Sequence, residues 1–265
     1  VINTVADTFN LALVSGAANH GQGIYLVDVD STTGAISHVT LAAKTLSPSW
    51  MALSADGKFL YAVSEVASYG PAKSGSVSAY AVGAGGALKL LNTVSSDGAI
   101  PAYISIHPSG RFVMVADYTG GAFVIIRIKP DGSLGEETDA VKPSGPLSSP
   151  TAADTQPGQF ATSDHRSSRG HMIGPDRSGQ FVIGDDAGRD QIFVWRLDTS
   201  SGKLNQVSLT KVLPGAAPRH FVFSPDGKTM YQLQEQYSRL EIVDFIAGKL
   251  TQKASSVSGL PWGCA

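Results

Sequence analysis

Two short stretches concentrate side chains able to move a proton or hold an anion. In "APRHFVFSPDGKTMY" an Arg-His pair, Arg219 and His220, heads an apolar run, and Glu235 closes the next one, "MYQLQE". In "RGHMIG", His171 stands likewise at the head of a run. An imidazole titrates near neutral pH, so His171 suits removal of a proton from a water that attacks a carbonyl. The planar guanidinium of Arg219 matches a carboxylate or phosphate and can stabilise a developing oxyanion. Glu235, close to that cation in the repeat, is an acid or base candidate. Glu65, which ends "LYAVSE", has the corresponding place in an earlier run. Each residue also has a structural reading: a hydrogen-bonded imidazole, an ion pair between neighbouring sheets, or a carboxylate tying a neighbour's backbone. Simple alternation along a strand turns His220 away from the side that Arg219 faces, which favours a structural role for it.

Other chemistries find less support. His107, in "HPSG", sits where a turn needs a cap. Asp185, Asp186 and Asp190, in "GDDAGRD", suggest a cation loop, but their spacing does not satisfy an EF-hand, and no metal is expected. The single cysteine, Cys264, permits neither an intrachain disulfide nor a cysteine metal cluster. No phosphate-cradling loop, dinucleotide fingerprint or Gly-x-Ser-x-Gly elbow occurs, so no cofactor is expected. A formal net charge of −2 leaves no basic excess for nucleic acid. No apolar run approaches the roughly 20 residues that span a bilayer, so no membrane partner is expected. Abundant Ser, Thr, Gly and Ala beside sparse Lys and Glu are compatible with export and with the cytoplasm alike. Trp50, Trp195 and Trp262 read as packing residues.

The elements that must position these groups repeat. Gly57, Gly110, Gly179 and Gly227 each end a turn and precede a strand-like run, at intervals of 53, 69 and 48 residues. Within one unit the runs "SWMALS", "KFLYAVSE", "GSVSAYAV" and "ALKLLNTV" are short, rich in β-branched and aromatic residues, and bounded by turn residues. Four strands in a period near 50 residues predict an all-β protein, a β-propeller of four-stranded antiparallel blades with five repeats visible. The first unit lacks its innermost strand, and "GLPWGCA" at the other end resembles the start of one. Residues 137–169, rich in Pro, Ser and Thr, break the pattern and read as an insertion in a single domain spanning 1–265. Such a loop is expected to cover one mouth of the ring or to run over its surface.

The stretches "SPSWMALSADGKFLYAVSE", "HPSGRFVMVADYTGGA", "RGHMIGPDRSGQFVIGDDAGRDQIFVWRLDTSSGKL" and "APRHFVFSPDGKTMYQLQEQYSRLEIVDF" resemble the seven-bladed propeller lactonases. That group includes the bacterial propeller-type 6-phosphogluconolactonase and the fungal 3-carboxy-cis,cis-muconate lactonizing enzyme. The resemblance implies catalytic roles for His171, Arg219 and Glu235, with Glu65, Arg169 and His220 on the substrate. It implies no metal and no cofactor, and a small anionic lactone or carboxylate as substrate. The expected reaction is hydrolysis of a sugar-type lactone or reversible lactonization of a carboxymuconate. Two departures count against it. The family has seven blades where five are visible, so an Arg from the sixth has no counterpart, and Arg169 stands where the family usually has His. The alternative is a non-catalytic binding propeller or an inactive truncated relic.

Overall fold

The computed structural model describes residues 2–5, 9–12, 21–148 and 163–258. Their strands form five four-stranded antiparallel sheets, each a meander in chain order. The first contains β1 (Ile2–Val5), β2 (Phe9–Ala12), β3 (Gly23–Val29) and β4 (Ile36–Lys44). The second contains β5 (Pro48–Leu53), β6 (Phe59–Ser64), β7 (Ser76–Val82) and β8 (Leu88–Ser95). The third contains β9 (Pro101–Ile106), β10 (Phe112–Asp117), β11 (Ala122–Ile128) and β12 (Leu134–Val141). The fourth contains β13 (Gly170–Pro175), β14 (Val182–Asp186), β15 (Gln191–Asp198) and β16 (Lys203–Lys211). The fifth contains β17 (Pro218–Phe223), β18 (Thr229–Gln234), β19 (Arg239–Ile246) and β20 (Lys249–Ser258). Among the described residues no helix is long and apolar enough to cross a membrane.

The turn glycines explain the regularity. Gly57, Gly110, Gly179 and Gly227 have φ of 70, 68, 71 and 71°, a left-handed conformation that a side chain disfavours. Each donates its N–H to a carbonyl three residues back, at Ser54, His107, Asp176 and Ser224. The side chain at that earlier position then caps the turn: Ser54 Oγ accepts from Phe59 N–H and Ser224 Oγ from Thr229 N–H. Asp176 Oδ1 accepts from Phe181 N–H in the same way, whereas His107 caps its turn differently: Nδ1 accepts from the Ser109 N–H at 3.2 Å, and its other ring nitrogen reaches the Gly179 carbonyl at 2.9 Å, which bears out a turn-capping role.

Sheet packs on sheet through apolar layers. Ile24, Met51 and Leu60 fill the space between the first and second sheets. Tyr61, Val113 and Val124 lie between the second and third, and Phe112, Phe123, Val182 and Trp195 between the third and fourth. Met172, Ile183, Phe221 and Met230 fill the next layer. β10 is covered on both faces, which is why its sequence "FVMVAD" is continuously apolar until its last residue. A second glycine series, Gly86, Gly132, Gly202 and Gly248, ties the second to fifth sheets each to the one before it. Gly132 has φ of 83°, and a Cβ there would meet Phe59 at 2.1 Å. Its carbonyl accepts the Tyr61 hydroxyl hydrogen bond at 3.0 Å.

Two sequence expectations are corrected. The first sheet does have an innermost strand: Ile2–Val5 pairs antiparallel with Phe9–Ala12. Four residues without a turn glycine are too short to stand out from their neighbours. The insertion also begins later than residue 137. "ETDAV" belongs to β12, with Glu137 opposite Ile126 and Ala140 opposite Val124, and Thr138 Oγ1 donates to the carbonyls of Ile125 and Gly202. Its pattern is blurred by two register shifts in that pairing. Trp195 packs between sheets as expected. Trp262, Cys264 and the strand expected in "GLPWGCA" lie outside the described residues, as does 149–162 of the insertion.

Candidate active site

Four innermost strands begin with the same irregularity. Pro48 pairs with Ser64 but Met51 with Ala62; Pro101 pairs with Asp117 but Tyr103 with Ala116. Gly170 pairs with Asp186 but Met172 with Asp185; Pro218 pairs with Gln234 but His220 with Leu233. Each innermost strand therefore carries one residue more than its partner at this point, a β-bulge that re-aims side chains. The residues there converge. Ser49, Trp50, Ala102, His171, Arg219 and His220 line one cavity of about 360 Å³. The bulge brings Arg219 and His220 to the same wall, which corrects the alternation that turned His220 away. Trp50 likewise stands in the cavity wall and not only in packing.

A second repeated contact supplies the rest of the wall. The residue ahead of each innermost strand, Ser47, Ile100, Arg169 or Ala217, accepts a backbone hydrogen bond from the residue that follows the second strand. Those donors are Glu65, Tyr118, Ala187 and Glu235, at 2.9, 2.8, 2.9 and 3.0 Å. Glu65, Tyr118 and Glu235 line the cavity; Ala187 is too short to reach it. Ser47, Ile100 and Ala217 have φ of 39, 60 and 55°, and each precedes a proline. Backbone strain of this kind, about 1–3 kcal/mol at each position, gathers at sites whose geometry is over-determined.

Arg219 Nε donates to Glu235 Oε2 at 2.6 Å, and Ser163 Oγ reaches the other carboxylate oxygen at 3.4 Å. The His171 and His220 rings meet edge to face with centroids 5.0 Å apart, and Tyr118 stands edge-on to His171 at 5.5 Å. Trp50 and Tyr103 flank His220. Burial, then the charges of Arg219 and His220, pushes the His171 imidazole down to about 3. Burial and Arg219 push His220 down to about 4. Both rings are neutral at pH 7. Among the described residues, His171 Nδ1 and His220 Nε2 are buried without a hydrogen-bond partner. One cation, a carboxylate at its Nε edge, the Glu65 side chain and two neutral imidazoles thus face one hollow.

Arg169 is not brought to the cavity wall. It is buried behind Tyr118, over whose ring its guanidinium lies at 5.4 Å. It pairs with Asp164 and donates to the Thr119 carbonyl at 3.3 Å. The described end of the insertion is bound to the same mouth. Ser163 N–H donates to Gln236 Oε1 at 3.0 Å, and the buried His165 ring sits 3.3 Å from Asp190. The three aspartates of "GDDAGRD" are separately engaged: Asp185 by Gln232, Asp186 by Ser168 and the Arg169 N–H, Asp190 by His165 and the N–H groups of Gly215 and Ala217. Tyr118 escaped the sequence reading, although "MVADY" aligns with "YAVSE" and "QLQE" and places it at the Glu65 and Glu235 position.

Propeller sheets with a polar cavity at one end of their innermost strands define a class, and the comparisons give its family. Residues 11–262 match the model described as lactonase, 7-bladed beta-propeller, and the chain belongs to that family. It is 26% identical to a 6-phosphogluconolactonase of Bacillus subtilis over 243 residues, which are 91% of this chain and 64% of that protein. A 6-phosphogluconolactonase of Formosa agariphila is 26% identical over 87% of this chain and 62% of its own length. The chain thus spans less than two thirds of either curated relative. In fold it is similar to the periplasmic gluconolactonase of Pseudomonas aeruginosa, with a TM-score of 0.81, 24% identity, and coverage of 97% of this chain and 70% of that one.

Proposed function

We propose that this chain hydrolyses an anionic sugar-type lactone, as its 6-phosphogluconolactonase relatives are named for, and that its five sheets act as one propeller domain. The observation that carries this reading is the convergence of His171, Arg219, His220 and Glu235 on one cavity of about 360 Å³. Arg219, oriented through Nε by Glu235, offers its charge to the substrate's anionic group and to the carbonyl oxygen. Neutral His171 takes a proton from water as the hydroxide adds to the lactone carbonyl. The tetrahedral oxyanion then expels the ring oxygen, which takes the proton, and an open hydroxy acid leaves. An imidazole held at about 3 is a weak base. Burial is the larger cause of that depression and remains; an anionic substrate beside Arg219 offsets only the share that the cation contributes, and raises the basicity by that share. Glu65, with no ion pair among the described residues, and His220 face the same hollow and contact the sugar portion. Arg169 acts through Tyr118, whose ring it underlies.

The test is hydrolysis of phosphorylated and unphosphorylated gluconolactone by the wild type, Arg219→Ala and His171→Ala. Arg219→Ala is expected to lower kcat/KM by about 100-fold or more, and His171→Ala by a comparable factor. Rates equal to wild type in Arg219→Ala remove Arg219 from the reaction. Lactone binding without turnover by the wild type supports the non-catalytic alternative instead.

A further inference from the structure

At the other edge of the sheets, where innermost strands end, the repeats differ in one respect. In the third sheet Pro108 reaches the turn glycine of the fourth: a Cβ on Gly179 would meet its ring at 3.0 Å, and His107 binds the Gly179 carbonyl. In the fourth, Arg177 covers the turn of the fifth in the same way, 3.2 Å from the Cβ position of Gly227. The second sheet has Ser54 and Ala55 at the corresponding turn. Those side chains are short, and nothing lies within 4 Å of a Cβ on Gly110. The space between the second and third sheets is therefore left open as a crevice of about 680 Å³.

Its chemistry is uneven. Leu53, Phe59, Ile106 and Ile128 supply an apolar floor, and Arg111, Arg127 and Lys129 line one side. The guanidinium groups of Arg111 and Arg127 lie 5.8 and 5.1 Å from the centroid of the Phe112 ring, which is itself buried in the layer between the third and fourth sheets. Arg127 is paired with Glu136 at 2.6 Å, whereas Arg111 forms no ion pair among the described residues. The facing acid, Asp56, is engaged by Ser54 Oγ, Lys58 N–H and the Lys58 ammonium.

From this we infer that the crevice is a second binding site, separate from the cavity at Arg219, for an amphiphilic organic anion. Its apolar body lies on the Leu53–Phe59–Ile106 floor, and its carboxylate, sulfonate or phosphate head meets Arg111. The volume lies within the range of small-molecule sites, and an apolar lining with a few convergent polar groups is their usual make-up. The site exists because Ala55 stands where the next two sheets have covering side chains, so one substitution closes it.

The probe is anilinonaphthalene sulfonate, whose ring system and sulfonate have the required character, titrated by fluorescence and calorimetry into the full chain. One-to-one saturable binding that weakens with added salt is expected. Arg111→Ala should weaken it about tenfold, the loss of one charge-assisted contact. Ala55→Arg, at an exposed turn position, should abolish it by filling the crevice, with an unchanged circular dichroism spectrum and melting temperature within a few degrees. Arg219→Ala should leave it intact. Binding that survives Ala55→Arg and Arg111→Ala, or that disappears in Arg219→Ala, overturns the inference, as does failure to saturate at one equivalent.

Discussion

Arg219 and His171 act on one another through charge. The cation lowers the affinity of both neighbouring imidazoles for a proton, so removing it should show directly in their titration. In Arg219→Gln the ring resonances of His171 and His220, followed by NMR, should titrate above their values of about 3 and about 4 while staying below the ordinary 6.5, because burial is unchanged. Titration at the same values would mean that burial alone sets them. A second residue outside the cavity has the opposite sign. Asp117 is wholly buried at the end of β10, and burial pushes its carboxyl up from 3.8 to about 8. Between those values the folded state holds a proton that the unfolded chain releases. Its contribution to stability is therefore greatest near pH 4, falls as the pH rises through that window, and is lost above 8. Asp117→Asn should flatten this dependence: the same melting temperature as wild type near pH 4, and one about 5 °C higher at pH 9. A parallel pH profile in the two proteins would refute the assignment.

Individual sheets are held to their neighbours at defined glycines, and that can be tested by comparing two of them. Gly34 and Gly132 both have positive φ, 72 and 83°, but a Cβ on Gly34 meets nothing within 4 Å whereas one on Gly132 meets Phe59. Gly34→Ala should cost about 1 kcal/mol, the left-handed backbone alone. Gly132→Ala adds overpacking and should cost about 2–4 kcal/mol in denaturant unfolding. Equal losses would place the whole effect in the backbone. The same elements show how far the chain can be read. The hairpins of the second to fifth sheets were legible because their turns demand glycine at a fixed place. Ile2–Val5 was not, because it has no such marker, and "ETDAV" was hidden by the two register shifts in its pairing. That His171, Arg219 and Glu235 line one cavity was legible from their places at strand ends taken together with the resemblance to the lactonases; their catalytic roles belong to the proposal. The inclusion of His220 and Trp50 in the cavity wall was not legible. It follows from bulges, and a bulge is a property of two paired strands that neither strand displays alone. Tyr118 was within reach of a strict alignment of the repeats, but a tyrosine among glutamates carries no obvious chemical label.

Across the molecule, protection should follow the layers. β10 is buried from end to end between two apolar layers, while most of β4 is exposed. Amide exchange at Val113 and Val115 should be slower than at Ser37–Thr40 by at least about 1000-fold. Uniform exchange across the sheets would argue for a single cooperative unit without graded local opening. The spare residue at the head of the innermost strands has a wider consequence. It lets a sheet aim two adjacent side chains at the hollow, as Ser49 with Trp50 and Arg219 with His220 do, while the hairpins and inter-sheet layers stay as they are. Ligand preference can then diverge by single substitutions at those paired positions, with little penalty to folding. A scaffold arranged this way separates the inheritance of its shape from the inheritance of its chemistry.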